Sequence, residues 1–295
     1  MTDLPINRTA PASGASRPRL MRWRERSILP GFGLSLGITL TYLSVIVLIP
    51  LAALAIKPWE LGLSGVWRTL TDDRVAAALK LSFSLSAYAA ITNAFFGLLI
   101  AWVLVRYEFP GRRILDAMVD LPFALPTAVA GIALTALYAP TGPLGSLAAQ
   151  VGLKTAYSPL GIFIALVFIG LPFVVRAVQP VLQDLDKEVE EAAQTLGASD
   201  IQRIVHVVLP ALAPALISGV TLAFARAVGE YGSVVFIAGN MPLKTEIAPL
   251  LIVIKLEEYD YAGAAAVGLA MVVISFGALI LINTAQLLLA GRGRR

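Results

Sequence analysis

The 295-residue chain has no cysteine, a single histidine and few charged residues. Without cysteine it forms no disulfide framework, thiol nucleophile or Cys-ligated metal centre. The one histidine, His206, is interpreted as a helix-surface residue, and no residue set typical of an intramembrane enzyme occurs in the apolar stretches. No Gly-Lys dipeptide occurs, so the chain lacks a P-loop. If ATP drives this protein, another subunit must bind it.

Apolar residues are abundant instead. They make up 58% of the chain, and the mean hydropathy of +0.80 excludes a water-soluble globular fold. We predict an all-α polytopic membrane protein with six transmembrane helices, because six apolar stretches are long enough to cross a bilayer. The predicted spans cover residues 31–56, 81–105, 118–139, 160–178, 211–238 and 262–289.

Polar segments separate the spans. A mixed-charge segment covers residues 57–80, and we predict loops at residues 106–116 and 140–159 and a polar connection at residues 239–261. Prolines predict irregular helices within two spans, with a kinked entry at Pro122 and Pro126 and an interruption at Pro172.

Basic residues predict the orientation. Residues 1–30 form an arginine-rich tail that is predicted to be disordered, and residues 290–295 form a second basic tail. With six spans, most of the 23 Lys and Arg residues lie on the side of both termini. The positive-inside rule therefore predicts that both termini are cytoplasmic, N-in and C-in. Orientation also explains the net charge of +4, so no nucleic-acid partner is predicted.

The polar stretch 184–210, between the fourth and fifth spans, has the pattern of a helix, a turn and a second helix. Ala192, Ala193 and Leu196 give the first helix a small apolar face, and Gly197 permits the positive φ of a helix stop. The candidate N-caps are Asp184 or Asp186 for the first helix and Ser199 or Asp200 for the second.

This stretch resembles the EAA loop of permease subunits in binding-protein-dependent ABC importers, with Val207 in place of the usual isoleucine. The resemblance implies a cytoplasmic coupling loop at residues 184–210 that docks on an ATPase subunit. A solvated charged loop between two spans is the alternative. The residues that carry the motif are Glu191, Ala192, Ala193, Gly197, Leu209 and Pro210.

The fifth span contains two charged residues, Arg226 and Glu230, which share a helix face because they are four residues apart. Charged groups within a bilayer either pair with each other or line a polar path, and both interpretations stay open here. Gly229 and Gly232 flank Glu230-Tyr231 and would let the helix bend there. These five residues are the candidate translocation pathway and gate.

Four segments resemble the CysT-type sulfate permease subunits, and the likeness covers roughly residues 81–286. It implies the type I ABC importer permease fold, with a first helix at 31–56 and a five-helix core at 77–289. The four segments are Leu121–Gly131, Pro140–Gly145, Lys244–Ile252 and, around the candidate gate, Ala225–Asn240.

The same resemblance implies the partners. A CysW-like permease subunit would pair with this chain, two copies of a cytoplasmic ATPase would bind ATP and magnesium, and a periplasmic binding protein would deliver sulfate or thiosulfate. The chain itself is then a non-enzymatic subunit without a cofactor, held by lipid in the bacterial cytoplasmic (inner) membrane. A permease for another oxyanion such as molybdate is an alternative. In a different class, so is an ion-coupled secondary transporter, for which Glu230 is the only deep carboxylate.

Overall fold

The computed structural model describes residues 32–292, and none of these residues forms a β-strand, so the all-α prediction is confirmed. The predicted tail at residues 1–30 lies outside the described residues, as do residues 293–295 at the C-terminus. The helices are α1 (Phe32–Leu43), α2 (Ile49–Ile56), α3 (Gly62–Thr71), α4 (Asp73–Arg106), α5 (Arg112–Val119), α6 (Leu121–Ala124), α7 (Thr127–Tyr138), α8 (Pro143–Gln150), α9 (Pro159–Asp184), α10 (Lys187–Thr195), α11 (Asp200–Arg203), α12 (Leu209–Val228), α13 (Val234–Ile237), α14 (Ala248–Glu257) and α15 (Tyr261–Arg292).

The chain divides into two compact units, Met1–Leu51 and Ala52–Arg295. Within the described part of the first unit, nearly every side chain is exposed, although the sequence of α1 is almost wholly apolar. A helix that is apolar all round and exposed has the composition of a lipid-facing span.

The described part of the chain has five spans, or six if one bent helix pair is counted, and the higher number agrees with the six that were predicted. By length and composition, five helical stretches in residues 32–292 qualify as spans, and α7 with α8 forms a sixth if this pair, bent by 44°, counts as one. The five stretches are Phe32–Thr71, Asp73–Arg106, Pro159–Asp184, Asp200–Val228 and Tyr261–Thr284.

The mixed-charge segment at 57–80 is largely helical. A 3-10 turn at Lys57–Leu61 leads into α3, and α4 begins at Asp73, capped by the Asp72 carboxylate 3.0 Å from the Arg74 amide nitrogen. Along this segment the large apolar side chains of Trp59, Leu63 and Trp67 are exposed. Gly62, at φ +67°, allows the change of direction before α3.

Two π-helical segments each come directly before an X-Pro pair. Ser44–Leu48 precedes Pro50 by one residue, and Ile204–Val208 precedes Pro210 in the same way. Proline has no N–H and its ring crowds the carbonyl four residues earlier, so a wider turn relieves the clash. Helical structure therefore continues without a gap from α11 to the end of α12.

Three long helices, α4, α9 and α12, pack together at the centre of the second unit, and α9 is the most buried of the apolar spans. Glycines allow their close approach. A Cβ on Gly97 of α4 would lie 2.8 Å from the Val174 side chain, and one on Gly219 of α12 would lie 2.9 Å from Val174 Cα. Small residues at such crossings let transmembrane helices gain van der Waals contact, since lipid provides no hydrophobic drive between helices.

The predicted interruption of the fourth span at Pro172 is wrong. The α9 helix runs unbroken through Pro172 and Pro180 to Asp184. Pro172 is buried between neighbouring helices. Such packing supports a helix that has lost a backbone hydrogen bond.

The third predicted span is divided, and its kinked entry at Pro122 and Pro126 is confirmed. The breaks fall at Asp120 and at Leu125-Pro126, between α5, α6 and α7. The predicted loop at 140–159 contains α8. Gly145 sits so close to α7 that a Cβ there would lie 1.9 Å from the Ala139 carbonyl oxygen.

Arg176 of α9 holds α5 in place. Its guanidinium donates to the Asp120 carboxylate at 2.6 and 2.8 Å and to Asp116 Oδ1 at 2.6 Å. The hydrogen bond from Arg176 lowers the pKa of Asp116 below its usual value, with smaller contributions from Gln179 and Arg112. These contacts could not be predicted from the sequence, because the partners are far apart in the chain.

The predicted polar connection at 239–261 contains α14, which is held to the start of α4. The Ala248 amide donates to Ser82 Oγ at 2.8 Å, and Arg74 forms two hydrogen bonds of 2.7 Å with the buried Glu246 carboxylate. The turn to α15 is closed by Asp260, whose pKa is lowered mainly by the hydrogen bond from Lys255.

We expect Gly219→Ala to destabilise the protein by about 1–3 kcal/mol, the usual cost of overpacking, because the added methyl meets α9 backbone atoms that cannot rotate away. Gly277→Ala in α15 is the matched control. That glycine is exposed with no atom within 4 Å of the added Cβ, so alanine is expected to be neutral or to stabilise the helix. Thermal unfolding of the purified protein in detergent, followed by tryptophan fluorescence, measures both. Equal midpoints for the two variants would contradict the proposed crossing.

Candidate functional site: the acidic loop and the end of the fifth span

The polar stretch 184–210 folds as the sequence predicted, into a helix, a turn and a second helix. Asp186 caps α10, with its carboxylate 3.4 Å from the Glu188 amide nitrogen. Gly197 ends the turn after α10 at φ +88°. Ser199 begins α11 through a reciprocal capping box with Gln202. Because every stop and start signal is local, the loop forms a defined scaffold.

Several apolar side chains of this scaffold are exposed. Val189, Leu196 and Ile201 are 51%, 88% and 75% exposed, and Ala192 is exposed beside them. Large apolar side chains clustered on an otherwise charged loop are typical of a protein-binding surface. We call Val189, Ala192, Leu196 and Ile201 the loop face.

The inner side of α10 carries a buried carboxylate that the sequence interpretation missed. Glu190 is 9% exposed and forms ion pairs with Arg106, the last residue of α4, and with Arg203 of α11. Glu191, the motif glutamate, is exposed. The signal available in the sequence was only that adjacent glutamates on a helix must point in different directions.

The other motif residues fall at both ends of the scaffold. Ala193 is half-buried behind the loop face, whereas Gly197 is exposed in the turn. Leu209 and Pro210 open α12, where Leu209 is half-buried and Pro210 exposed. Their ATPase-coupling role stays a prediction.

The candidate gate lies at the far end of α12. This helix ends at Val228 instead of continuing to residue 238 as predicted, and α13 follows after a non-helical stretch. From Leu209 to Val228 the helix rises about 30 Å at ~1.5 Å per residue, the thickness of a hydrocarbon core. The acidic loop and the candidate gate are therefore at opposite ends of one span.

Glu230 organises the break. It is 3% exposed, and its Oε1 accepts hydrogen bonds of 2.9 Å from both the amide and the hydroxyl of Ser233. Its Oε2 is ion-paired with Arg226, so the two residues do pair with each other. Arg226 lies in the last turn of α12, where a cation also complements the helix dipole.

The two glycines of the candidate gate differ. A Cβ on Gly232 would lie 2.2 Å from Thr127 Oγ1, at the start of α7, whereas Gly229 has open space and a φ of −89° that any residue adopts. Gly131 of α7 is similarly close to the Ser233 backbone, at 2.4 Å. Gly232 is thus needed for packing against α7, and Gly229 is not. Tyr231 between them is half-buried against the core.

Among residues 32–292, no three His, Asp or Glu side chains form a group that can hold a metal ion. The polar chemistry of the described site therefore lies in its ion pairs and hydrogen bonds.

The family described as "Binding-protein-dependent transport system inner membrane component" matches residues 93–295. Five or six apolar spans with a rigid polar scaffold on the loop before α12 define, together with this match, the class of importer permease subunits. The chain belongs to the binding-protein-dependent transport system inner membrane component family.

Several similar proteins carry one name. "Sulfate transport system permease protein CysT" of Salmonella typhimurium is 49% identical over 262 residues, covering 89% of this chain and 95% of its own. The protein of that name from Escherichia coli is 48% identical with the same coverage. The one from Synechocystis is 48% identical and covers 84% of this chain and 87% of its own.

Two crystal structures of a bacterial alginate ABC transporter share the fold. One chain superposes with a TM-score of 0.71 at 16% identity, covering 86% of this chain and 93% of its own. The second, in complex with an alginate pentasaccharide-bound periplasmic protein, also has a TM-score of 0.71 and covers 85% and 92%. The predicted ABC importer permease fold is confirmed.

We expect Gly232→Ala to lower the fraction of protein that stays monodisperse in size-exclusion chromatography after mild heating, because its methyl overlaps Thr127. Gly229→Ala is the control and should behave as wild type. Adding Thr127→Ala removes the closest atom, so the double variant should regain part of the loss, a coupling expected for residues in contact. Equal damage from Gly229→Ala would show that chain flexibility, and not close packing, matters at this break.

Proposed function

We propose that this chain is a permease subunit of an ATP-driven importer that carries sulfate across the cytoplasmic membrane. The observation that carries the proposal is the near 50% identity, over almost the whole chain, to proteins named sulfate transport system permease. Thiosulfate, as a close oxyanion relative of sulfate, belongs to the same proposal.

The acidic loop is the proposed site of coupling. The loop face is exposed and apolar on a capped, rigid scaffold, which suits a helix that sits in a cleft of an ATPase subunit. ATP and magnesium would be bound by that subunit. Glu191 lies exposed on α10 and supplies a charge at the rim of the contact.

The other partners follow from the same architecture. A CysW-like second permease subunit, two ATPase subunits and a periplasmic binding protein would complete the importer. An alginate transporter with this fold has been crystallised with its periplasmic protein, which supports such an assembly. Exposed apolar side chains along α4, including Ile91, Phe95 and Leu99, offer surface to a second subunit or to lipid.

The proposed orientation is N-in and C-in, in the bacterial inner membrane. The ion pair between Arg106 and Glu190 supports one part of it, since it brings the basic end of α4 to the side of the acidic loop. That side would be cytoplasmic, where an ATPase reaches the loop.

The stretch Gly229–Gly232 is the proposed gate of the path. Its support is the local break between α12 and α13, at which Glu230 bonds to Ser233 and Arg226, and Gly232 and Ser233 pack against α7. A non-helical segment fixed by a small set of contacts is a suitable place for a conformational change.

The alternative of an ion-coupled transporter that uses the Glu230 carboxylate as its proton site is disfavoured. Both oxygens of this carboxylate already have partners, Ser233 and Arg226.

We expect a strain that lacks this chain to lose uptake of labelled sulfate and to regain it on complementation, with molybdate uptake unchanged. The two uptakes are measured in parallel in the same cells. Loss of molybdate uptake with intact sulfate uptake would leave the assignment as a permease subunit standing, but would make molybdate and not sulfate the substrate.

We expect Glu191→Lys to leave insertion intact but to weaken ATPase docking by about 2 kcal/mol, the size of an interface hot spot. Glu108→Lys, an exposed residue two positions after Arg106, makes the same charge change off the scaffold and is the control. ATP hydrolysis stimulated by the loaded binding protein, in proteoliposomes, is the measurement. Normal stimulation of ATP hydrolysis in the Glu191→Lys variant would show that this residue is not needed for coupling.

A further inference from the structure

One carboxylate in the acidic loop faces away from the loop face. In the nine-residue helix α10, Glu188 and Glu191 are exposed, whereas the Glu190 side chain is only 12% exposed. Burying a carboxylate at the edge of a membrane protein is costly unless it is paired and hydrogen-bonded. Glu190 is paired twice.

The two partners of Glu190 belong to different helices. Its Oε1 accepts a hydrogen bond from Arg106 Nη2, at the end of α4, and its Oε2 lies 3.6 Å from Arg203 Nε in α11. Arg203 also reaches Asp200 at 3.3 Å. Among the side chains that the structure describes, no other hydrogen bond or ion pair joins α10 to α4.

The surroundings shield this contact from solvent. Arg106 and Arg203 are 13% and 20% exposed, so solvent and salt screen their attraction to Glu190 weakly. The Arg106 guanidinium also lies over the Trp102 ring, 5.6 Å from its centroid. The Nε atoms of both arginines are buried without a hydrogen-bond partner. Two cations thus share one carboxylate, and a neutral side chain at position 190 cannot replace it.

We infer that Glu190 is the positioning residue that links the loop face to the membrane helices, through Arg106 to α4 and through Arg203 to α12. This inference rests on the proposed docking of the loop face on an ATPase. When the ATPase moves α10, the ion pairs carry the displacement to the end of α4 and, because α11 continues into α12, to that helix as well. Both helices pack along α9, so the same contact moves the central bundle.

The test uses the complete importer in proteoliposomes with Glu190→Gln, and it measures sulfate imported per ATP hydrolysed. We expect the ATPase to co-purify as with wild type and transport per ATP to fall about tenfold, within the usual range of coupling between sites. Glu108→Gln, an exposed carboxylate without a described partner, is the matched control and should change nothing.

A double-mutant cycle distinguishes the proposed link between Glu190 and Arg106 from a merely structural role of Glu190. Arg106→Gln alone should lower transport per ATP by less than Glu190→Gln does, because Arg203 still pairs with the carboxylate. The double variant should lower it no further than Glu190→Gln, because that variant already lacks the contact with Arg106. If Glu190→Gln does not fold, Glu190→Asp, which keeps the charge but withdraws the carboxylate, replaces it and should show the same direction.

Three outcomes would overturn the inference: unchanged transport per ATP in the Glu190 variants, loss of ATPase co-purification in them, or additive losses in the cycle. Failure of the proposed docking looks different, since Glu191→Lys would then leave ATPase binding and stimulated hydrolysis intact.

Discussion

The close approach of α4, α9 and α12 at glycines is the constraint on which the rest of the structure depends. Within a bilayer, apolar side chains gain nothing by leaving lipid, so only tight packing and satisfied polar groups hold helices together. Gly97 and Gly219 let α4 and α12 meet α9 at Val174 without intervening side chains. Once these three helix axes are fixed, the ends of α4 and α12 are fixed too. The acidic loop and the candidate gate are attached to those ends.

The two regions use opposite kinds of interaction. At the acidic loop, charges join elements that are distant in sequence, as Arg106 and Glu190 are, while the loop face stays free. At the other end of α12, Glu230 folds back on its own segment, and contact with α7 depends on the absence of a side chain at Gly232. Under the proposed coupling, the first arrangement would carry a movement of α10 to the membrane helices. The second would suit a gate, because it joins two helices through a short non-helical stretch.

The sequence predicted what local signals determine. Asp186, Gly197 and Ser199 act on their immediate neighbours, so the acidic loop was predicted almost residue by residue. The helices α8 and α14 were missed because the Gly, Pro and polar residues that indicated connecting segments also lie in or beside short helices. The end of α12 at Val228 was missed because apolar residues continue past it, and the break is set by contacts with α7. Glu190 could not be singled out, since Arg106 is 84 residues away.

The pairing of Arg226 with Glu230 bears on how a dianion would cross under the proposed function. Conduction needs binding that is strong enough for entry and weak enough for release. An unpaired arginine at the gate would hold sulfate too firmly, and an unpaired glutamate would repel it. Here a buried carboxylate neutralises the guanidinium, and the segment presents no net charge from this pair to a passing anion. Under that proposal, neutral hydrogen-bond donors would carry the anion through, and selection among oxyanions would belong to the binding protein that delivers them.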